Sequence, residues 1–316
     1  MKYPILVLII LLIAVSCVSI SDDLLPNHKK QMYMQSVLSP DSVVKVYVGY
    51  TADLRDKGFV KENGATVILY QNDVIIDTLN TIGNGIYVSE IKPQVNTQYL
   101  LRVYHQDDTI FALTTVPDYP IICNAPTYKY PTYYDTQDEA EFGDLYIEID
   151  DPAGIDNYYE IILFARTQNE KYKYVFYDQQ YVRITDGVLI NEGDWNYNPT
   201  SIFFSDLLFD GQCYKMKLIV SPRGAHIYDV GGVVEVSTLL DESGYVLLRS
   251  ISKEYYLYRK LYTRHVYNSQ SDFSESTIYD FFFIGEPLNM YTNVSNGVGV
   301  FASVNSKLYK IKKYEK

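Results

Sequence analysis

Turn-forming residues recur about every ten positions between Ser36 and Pro117, and the segments between them alternate apolar with polar residues. A chain punctuated that often has room for short strands and for few helices, so its apolar faces must be buried between β-sheets. Val43-Val44-Lys45-Val46-Tyr47-Val48 alternates β-branched and aromatic residues with others. Ala65 to Tyr70 leads through Gln71-Asn72-Asp73 into Val74-Ile75-Ile76, the pattern of a hairpin. Gly85 to Val88, Tyr99 to Tyr104 and Thr109 to Val116 continue the series. Residues 36–118 are thus expected to form a β-sandwich of immunoglobulin or transthyretin type.

Residues 119–316 are expected to form a larger β-rich domain. Strands are predicted at Leu145 to Ile149, Tyr158 to Arg166, Tyr172 to Tyr177, Cys213 to Val220 and Tyr245 to Ile251, with a return to β at Gly299 to Phe301 and Leu308 to Ile311. One stretch breaks the two-residue period. Between 252 and 267, Tyr255, Tyr258, Tyr262 and Val266 recur at three- and four-residue steps behind the N-cap candidate Ser252. That spacing predicts one amphipathic helix with its tyrosine stripe toward the core. The fold class is therefore mainly β, with a single helix.

The leader has a different logic. Lys2 precedes an apolar run, Ile5 to Val15, which closes as Ala14-Val15-Ser16-Cys17. The run is about half the ~20 residues that span a bilayer, so residues 1–16 read as a cleaved secretory signal. Its end resembles the bacterial lipobox, with Ala14 where Leu is usual. Lipidation is therefore expected on Cys17, with outer-membrane lipid as the partner of the acylated residue and residues 17–35 as a tether. Ser21-Asp22-Asp23 resembles the short acidic signal that sends Bacteroidota lipoproteins to the cell exterior.

Composition excludes some partners. The formal net charge is −12 and the basic residues are scattered, so nucleic acid is not an expected partner. The 33 tyrosines favour strands and also supply amphipathic surface. An oxidising compartment permits a bridge between Cys123 and Cys213; the sequence leaves the bridge and two free thiols both open.

Catalytic and metal patterns are missing. His28, His105, His226 and His265 stand apart, and there is no C-x-x-C, G-x-S-x-G or P-loop. Asp138, Glu139, Glu141 and Asp144 read as a solvated acidic loop. No catalytic residue, metal ligand or cofactor is expected, and the chain does not read as an enzyme. Two aromatic loops are candidate contact surfaces: Trp195 and Tyr197 in a polar, turn-rich stretch, and Tyr130, Tyr133 and Tyr134 in a Tyr- and Pro-rich one.

Four phrases in the second region occur in a telling order. They are Asp151-Pro152-Ala153-Gly154 with Asn157-Tyr158-Tyr159; Phe204-Ser205-Asp206 with Phe209-Asp210-Gly211; Ser250-Ile251-Ser252 with Glu254-Tyr255-Tyr256; and Asn293 to Phe301. Together with Gly64 to Val67 and Thr115-Val116-Pro117, they resemble the domain-of-unknown-function 4249 family of Bacteroidota outer-membrane lipoproteins. The resemblance implies a surface-exposed lipoprotein, often encoded beside TonB-dependent receptors, with an accessory role in capture or as a lid. The alternatives are an adhesin or structural surface protein without a transporter partner, and a hydrolase with an unmarked acidic site.

Overall fold

The structure, a computed structural model, describes residues 29–52, 60–136, 139–166, 174–176, 181–197, 199–222, 226–229, 232–235, 240–269 and 288–314. Cys17, Ser21, Asp22 and Asp23 lie outside the described residues.

The N-terminal part holds β1 (Met32–Leu38), β2 (Lys45–Tyr50), β3 (Val60–Lys61), β4 (Thr66–Gln71), β5 (Val74–Thr78), β6 (Asn80–Gly83), β7 (Ile86–Val88), β8 (Gln98–His105) and β9 (Asp108–Thr115). There follow β10 (Ile121–Asp135), β11 (Ala140–Asp150), β12 (Tyr158–Arg166), β13 (Tyr174–Phe176), β14 (Val182–Ile184), the short helix α1 (Gly187–Glu192) and a 3₁₀ turn, Asp194–Tyr197. The chain continues through β15 (Ile202–Ser205), β16 (Cys213–Val220), β17 (His226–Asp229), β18 (Gly232–Glu235), α2 (Leu240–Ser243), β19 (Gly244–Ile251), α3 (Lys253–Ser269), β20 (Val298–Lys310) and β21 (Lys312–Lys313).

These strands build two sandwiches that share one long sheet. Its path is β13-β12-β19-β20-β1-β2-β7-β6, with β15 on β12 and β3 on β2. The sheet β5-β4-β8-β9 packs against one half, and β14-β16-β11-β10-β21 packs against the other. The N-terminal core interleaves Met34, Val46, Val67, Leu101, Ile110 and Phe301. The second core interleaves Leu145, Ile147, Met216 and Leu218 with Ile161, Leu163, Val246 and Leu248. Each set follows from two-residue alternation, which turns every second side chain inward.

The expected boundary at residue 118 needs amending, because the first sandwich borrows from the far end of the chain. β1 pairs in parallel with the first half of β20, Tyr33 opposite Val298 through Leu38 opposite Ser303. β19 pairs with its second half. Val294 and Phe301 fill the N-terminal core. The tether also ends earlier than expected, since Met32 and Met34 are buried strand residues, not linker. Parallel pairing needs a crossover connection, and here almost the whole chain is that crossover.

The Asn293-to-Phe301 phrase makes this join. Asn293 donates through Nδ2 to the Leu113 and Phe301 carbonyls and accepts from the Phe301 N–H, at 3.1, 2.8 and 3.0 Å. Gly299, at φ 122°, lies against Met34 so closely that a Cβ would collide with the Met34 carbonyl. Only glycine serves there.

Helix α3 lies on the outer face of the shared sheet, where a helix over 252–267 is expected. Ser252 caps it, accepting from the Tyr255 N–H at 3.3 Å. The docked face differs from the predicted stripe. Tyr256 and Thr263 are the buried positions, whereas Tyr262 is exposed. α1 and α2 are short helices beyond the single one expected.

Candidate functional site

Two loops carry the chain between the paired sheets of the second sandwich. The loop from β11 to β12 crosses one way and the loop from β15 to β16 crosses back. β11 pairs with β16 and β12 with β15, so both crossings leave the same corner and lie side by side. Backbone bonds clasp them: Asp206 N–H to the Asn157 carbonyl at 3.0 Å and Asp151 N–H to the Gln212 carbonyl at 3.2 Å. Below, Tyr159, Phe204 and Phe209 pack with ring centroids 5.7–6.2 Å apart and plug the corner.

The clasp gathers three carboxylates. Asp151, Asp206 and Asp210 each place an oxygen within 4.8 Å of the others. Asp151 accepts from the Tyr159 hydroxyl at 2.7 Å and the Gly211 N–H at 3.0 Å. Asp206 accepts from the Asn157 N–H at 2.8 Å, and Asp210 from the Gly154 N–H at 2.7 Å. No lysine or arginine pairs with any of the three among the described residues. Burial raises the Asp206 carboxyl above its ordinary value, and the charges of Asp151 and Asp210 add to this against the Asn157 N–H. Burial, then the Asp151 carboxylate, raises the Tyr159 hydroxyl.

Three carboxylate oxygens at this spacing are the donor type of a hard-cation site, though they supply about half the oxygens calcium takes. The sequence alone predicts no metal ligand among them. Each aspartate sits beside a turn within one of the family phrases, but only the sheet topology brings them together.

The turn 206–209 closes from the Phe209 N–H to the Asp206 carbonyl at 2.7 Å. This leaves Leu207 and Leu208 at its tip, 75% and 54% exposed. Ile155, at the tip of the neighbouring loop, is 64% exposed.

A second constellation, on the same sandwich, is fully paired. Glu160 lies between Arg249 at 2.9 Å and Arg259 at 3.9 Å. Glu192 meets Lys260 at 2.6 Å and the Tyr256 hydroxyl. Asp194 meets Lys260 at 3.0 Å and Arg264 at 2.9 Å. Burial alone would raise Glu192, but Lys260, Tyr256 and the Ser205 N–H outweigh it and hold the carboxyl below its ordinary value. This network fastens α3 to α1 and the 3₁₀ turn.

Trp195 corrects an expectation. It is half-buried and packs against the second core. Tyr197 stands edge-on to Tyr267, with ring centroids 5.4 Å apart, under the Arg264 guanidinium. These two belong to the packing around α3. Tyr130, Tyr133 and Tyr134 are exposed along β10, and the Tyr130 hydroxyl donates to Glu141 at 2.6 Å. Asp144 is buried and pairs with Lys217 at 3.0 Å, so the acidic stretch that it closes is not wholly solvated, although Glu139 and Glu141 are exposed. Cys123 and Cys213 form a disulfide, Cα to Cα 6.3 Å, joining β10 and β16 beside the clasped loops. His105 bonds the Tyr50 hydroxyl at 2.8 Å and lies 3.4 Å from Glu62.

The phrases that converge on this corner sit within a longer likeness. A family model described as a domain of unknown function, DUF4249, matches residues 19–309. The chain belongs to the DUF4249 family. No curated protein matches it. The four phrases divide by role: two form the clasped acidic loops, one caps α3, and one joins β20 to the first sandwich. No described helix is long and apolar enough to cross a membrane.

Proposed function

We propose that this DUF4249 protein is a non-enzymatic lipoprotein, anchored to the outer membrane through Cys17 and facing the cell exterior, where it assists a TonB-dependent transporter. The observation that carries the reading is the leader. A basic residue, an apolar run too short to span a bilayer and small residues end at Cys17, and Ser21-Asp22-Asp23 follows. Several acyl chains on one cysteine give stable anchoring, each buried CH₂ contributing about 0.8 kcal/mol. The buried ion pairs beneath α3 support a scaffold role, because they fasten the helix to the second sandwich.

The test is the Cys17→Ser variant. The wild type incorporates labelled palmitate, sediments with membranes, is digested by protease added to intact cells and co-purifies with a β-barrel. The variant loses the label and the membrane. Equal membrane retention of both proteins overturns the anchor, and failure to recover a barrel with the anchored protein overturns the transporter role.

A further inference from the structure

We infer that the clasped loops form a rigid prong that inserts Ile155, Leu207 and Leu208 into an apolar pocket rimmed by lysine or arginine on a partner protein. The inference rests on the proposed transporter role and deepens it by naming the contact surface and its chemistry.

The central positions of a tight turn usually carry glycine, proline, asparagine or aspartate. Here they are leucines, and Leu207 is 75% exposed. Ile155 adds a third aliphatic side chain at 64% on the loop clasped to it. Scattered aliphatic residues at a surface are ordinary, but two leucines and an isoleucine on clasped loops form an apolar contact patch.

The tips cannot fold back onto the core, because that space is filled by Phe209, which is 1% exposed. The Gly154 N–H to Asp210 and Asn157 N–H to Asp206 bonds hold both loops. A preformed surface loses little conformational freedom on binding.

Asp150, Asp151, Asp156, Asp206 and Asp210 lie in or beside the loops, and neither 150–157 nor 205–212 contains a lysine or arginine. An acidic collar around an aliphatic tip is repelled by a phosphate-bearing lipid surface. It is attracted to a pocket with a basic rim, which also steers the encounter.

The probe is p-benzoylphenylalanine placed at position 207 of the full-length, anchored protein in cells, with position 190 as a control that is also exposed, at 61%. Irradiation is expected to yield an adduct at 207 and not at 190. Its mapped peptide should hold apolar residues flanked by lysine or arginine. The yield should fall at least tenfold on adding Asp156→Asn and Asp210→Asn, with the melting temperature retained. Adducts to lipid, adducts to a second copy of this chain, equal yields at both positions, or a yield indifferent to the aspartates overturns the inference. A barrel that still co-purifies while position 207 gives no adduct overturns the prong and leaves the transporter role standing.

Discussion

Two groups of carboxylates sit on the second sandwich and are treated in opposite ways. Glu160, Glu192 and Asp194 are buried beneath α3, and each has a cation within 3.0 Å. Asp151, Asp206 and Asp210 sit at the corner and have one another. Removing charge from water is costly unless a partner and hydrogen bonds replace the water. The first group meets that condition and holds a helix in place. The second meets it only with N–H groups and one hydroxyl, and like charges remain side by side. Charges that add to stability belong to the scaffold; charges that detract from it mark a candidate functional site.

The largest effect should come from breaking a pair beneath the helix. Glu160→Ala leaves Arg249 and Arg259 facing an uncharged cavity. The expected loss is about 3 kcal/mol in urea unfolding, the usual consequence of removing one member of a buried pair. A loss below about 1 kcal/mol would mean that the network behaves as a surface one and would erase the contrast between the two groups.

Proton titration sharpens the same contrast with a smaller effect. Glu192 is held below its ordinary 4.5 and Lys260 above its ordinary 10.5. A carboxyl with a depressed folded pKa contributes stability that is present above 4.5 and lost as pH falls through its folded value. A lysine with a raised folded pKa contributes stability that is present below 10.5 and lost as pH rises through its folded value. The grip on α3 should thus be constant between these limits and weaken outside them. About 2 kcal/mol is at stake, the worth of a hydrogen bond to a charge. Tyrosine fluorescence quenching against pH reports the release, and Lys260→Met should flatten the alkaline limb. An unchanged alkaline limb in that variant would assign the effect to other groups.

Legibility in the sequence follows the same divide. β12 and β16 run from Tyr158 to Arg166 and from Cys213 to Val220, as alternation alone predicts. Alternation is a local property, and burial on one face enforces it. β1 was hidden by polar neighbours, because half of Met32–Leu38 faces outward and reads like tether. The helix was legible but its docked face was not. Apolar periodicity follows Tyr255, Tyr258 and Tyr262, whereas Arg259, Lys260 and Arg264 do the fastening. Trp195 looked exposed in its polar stretch because its apolar neighbours come from other elements. The acidic corner was hidden for a further reason. Its aspartates belong to loops that meet only once two sheets have paired, which no spacing along the chain reveals.

The smallest effect has the opposite sign, and it separates the two groups most directly. Burial and the charges of Asp151 and Asp210 raise the folded pKa of Asp206 above its ordinary 3.8. A carboxyl with a raised folded pKa binds its proton more tightly in the folded state. Its ionisation therefore removes stability as pH rises from the ordinary value through the folded one, and the deficit persists at neutral pH. Asp206→Asn takes away that charge while keeping an oxygen for the Asn157 N–H, which Asp206 now accepts at 2.8 Å. The variant should be more stable at pH 7 by up to about 1 kcal/mol, a size set by partial solvent screening. The gain should vanish below pH 3, where both proteins carry a neutral side chain. A loss of stability at pH 7 would instead show that the carboxylate is needed where it stands, and the corner would then join the paired network as scaffold.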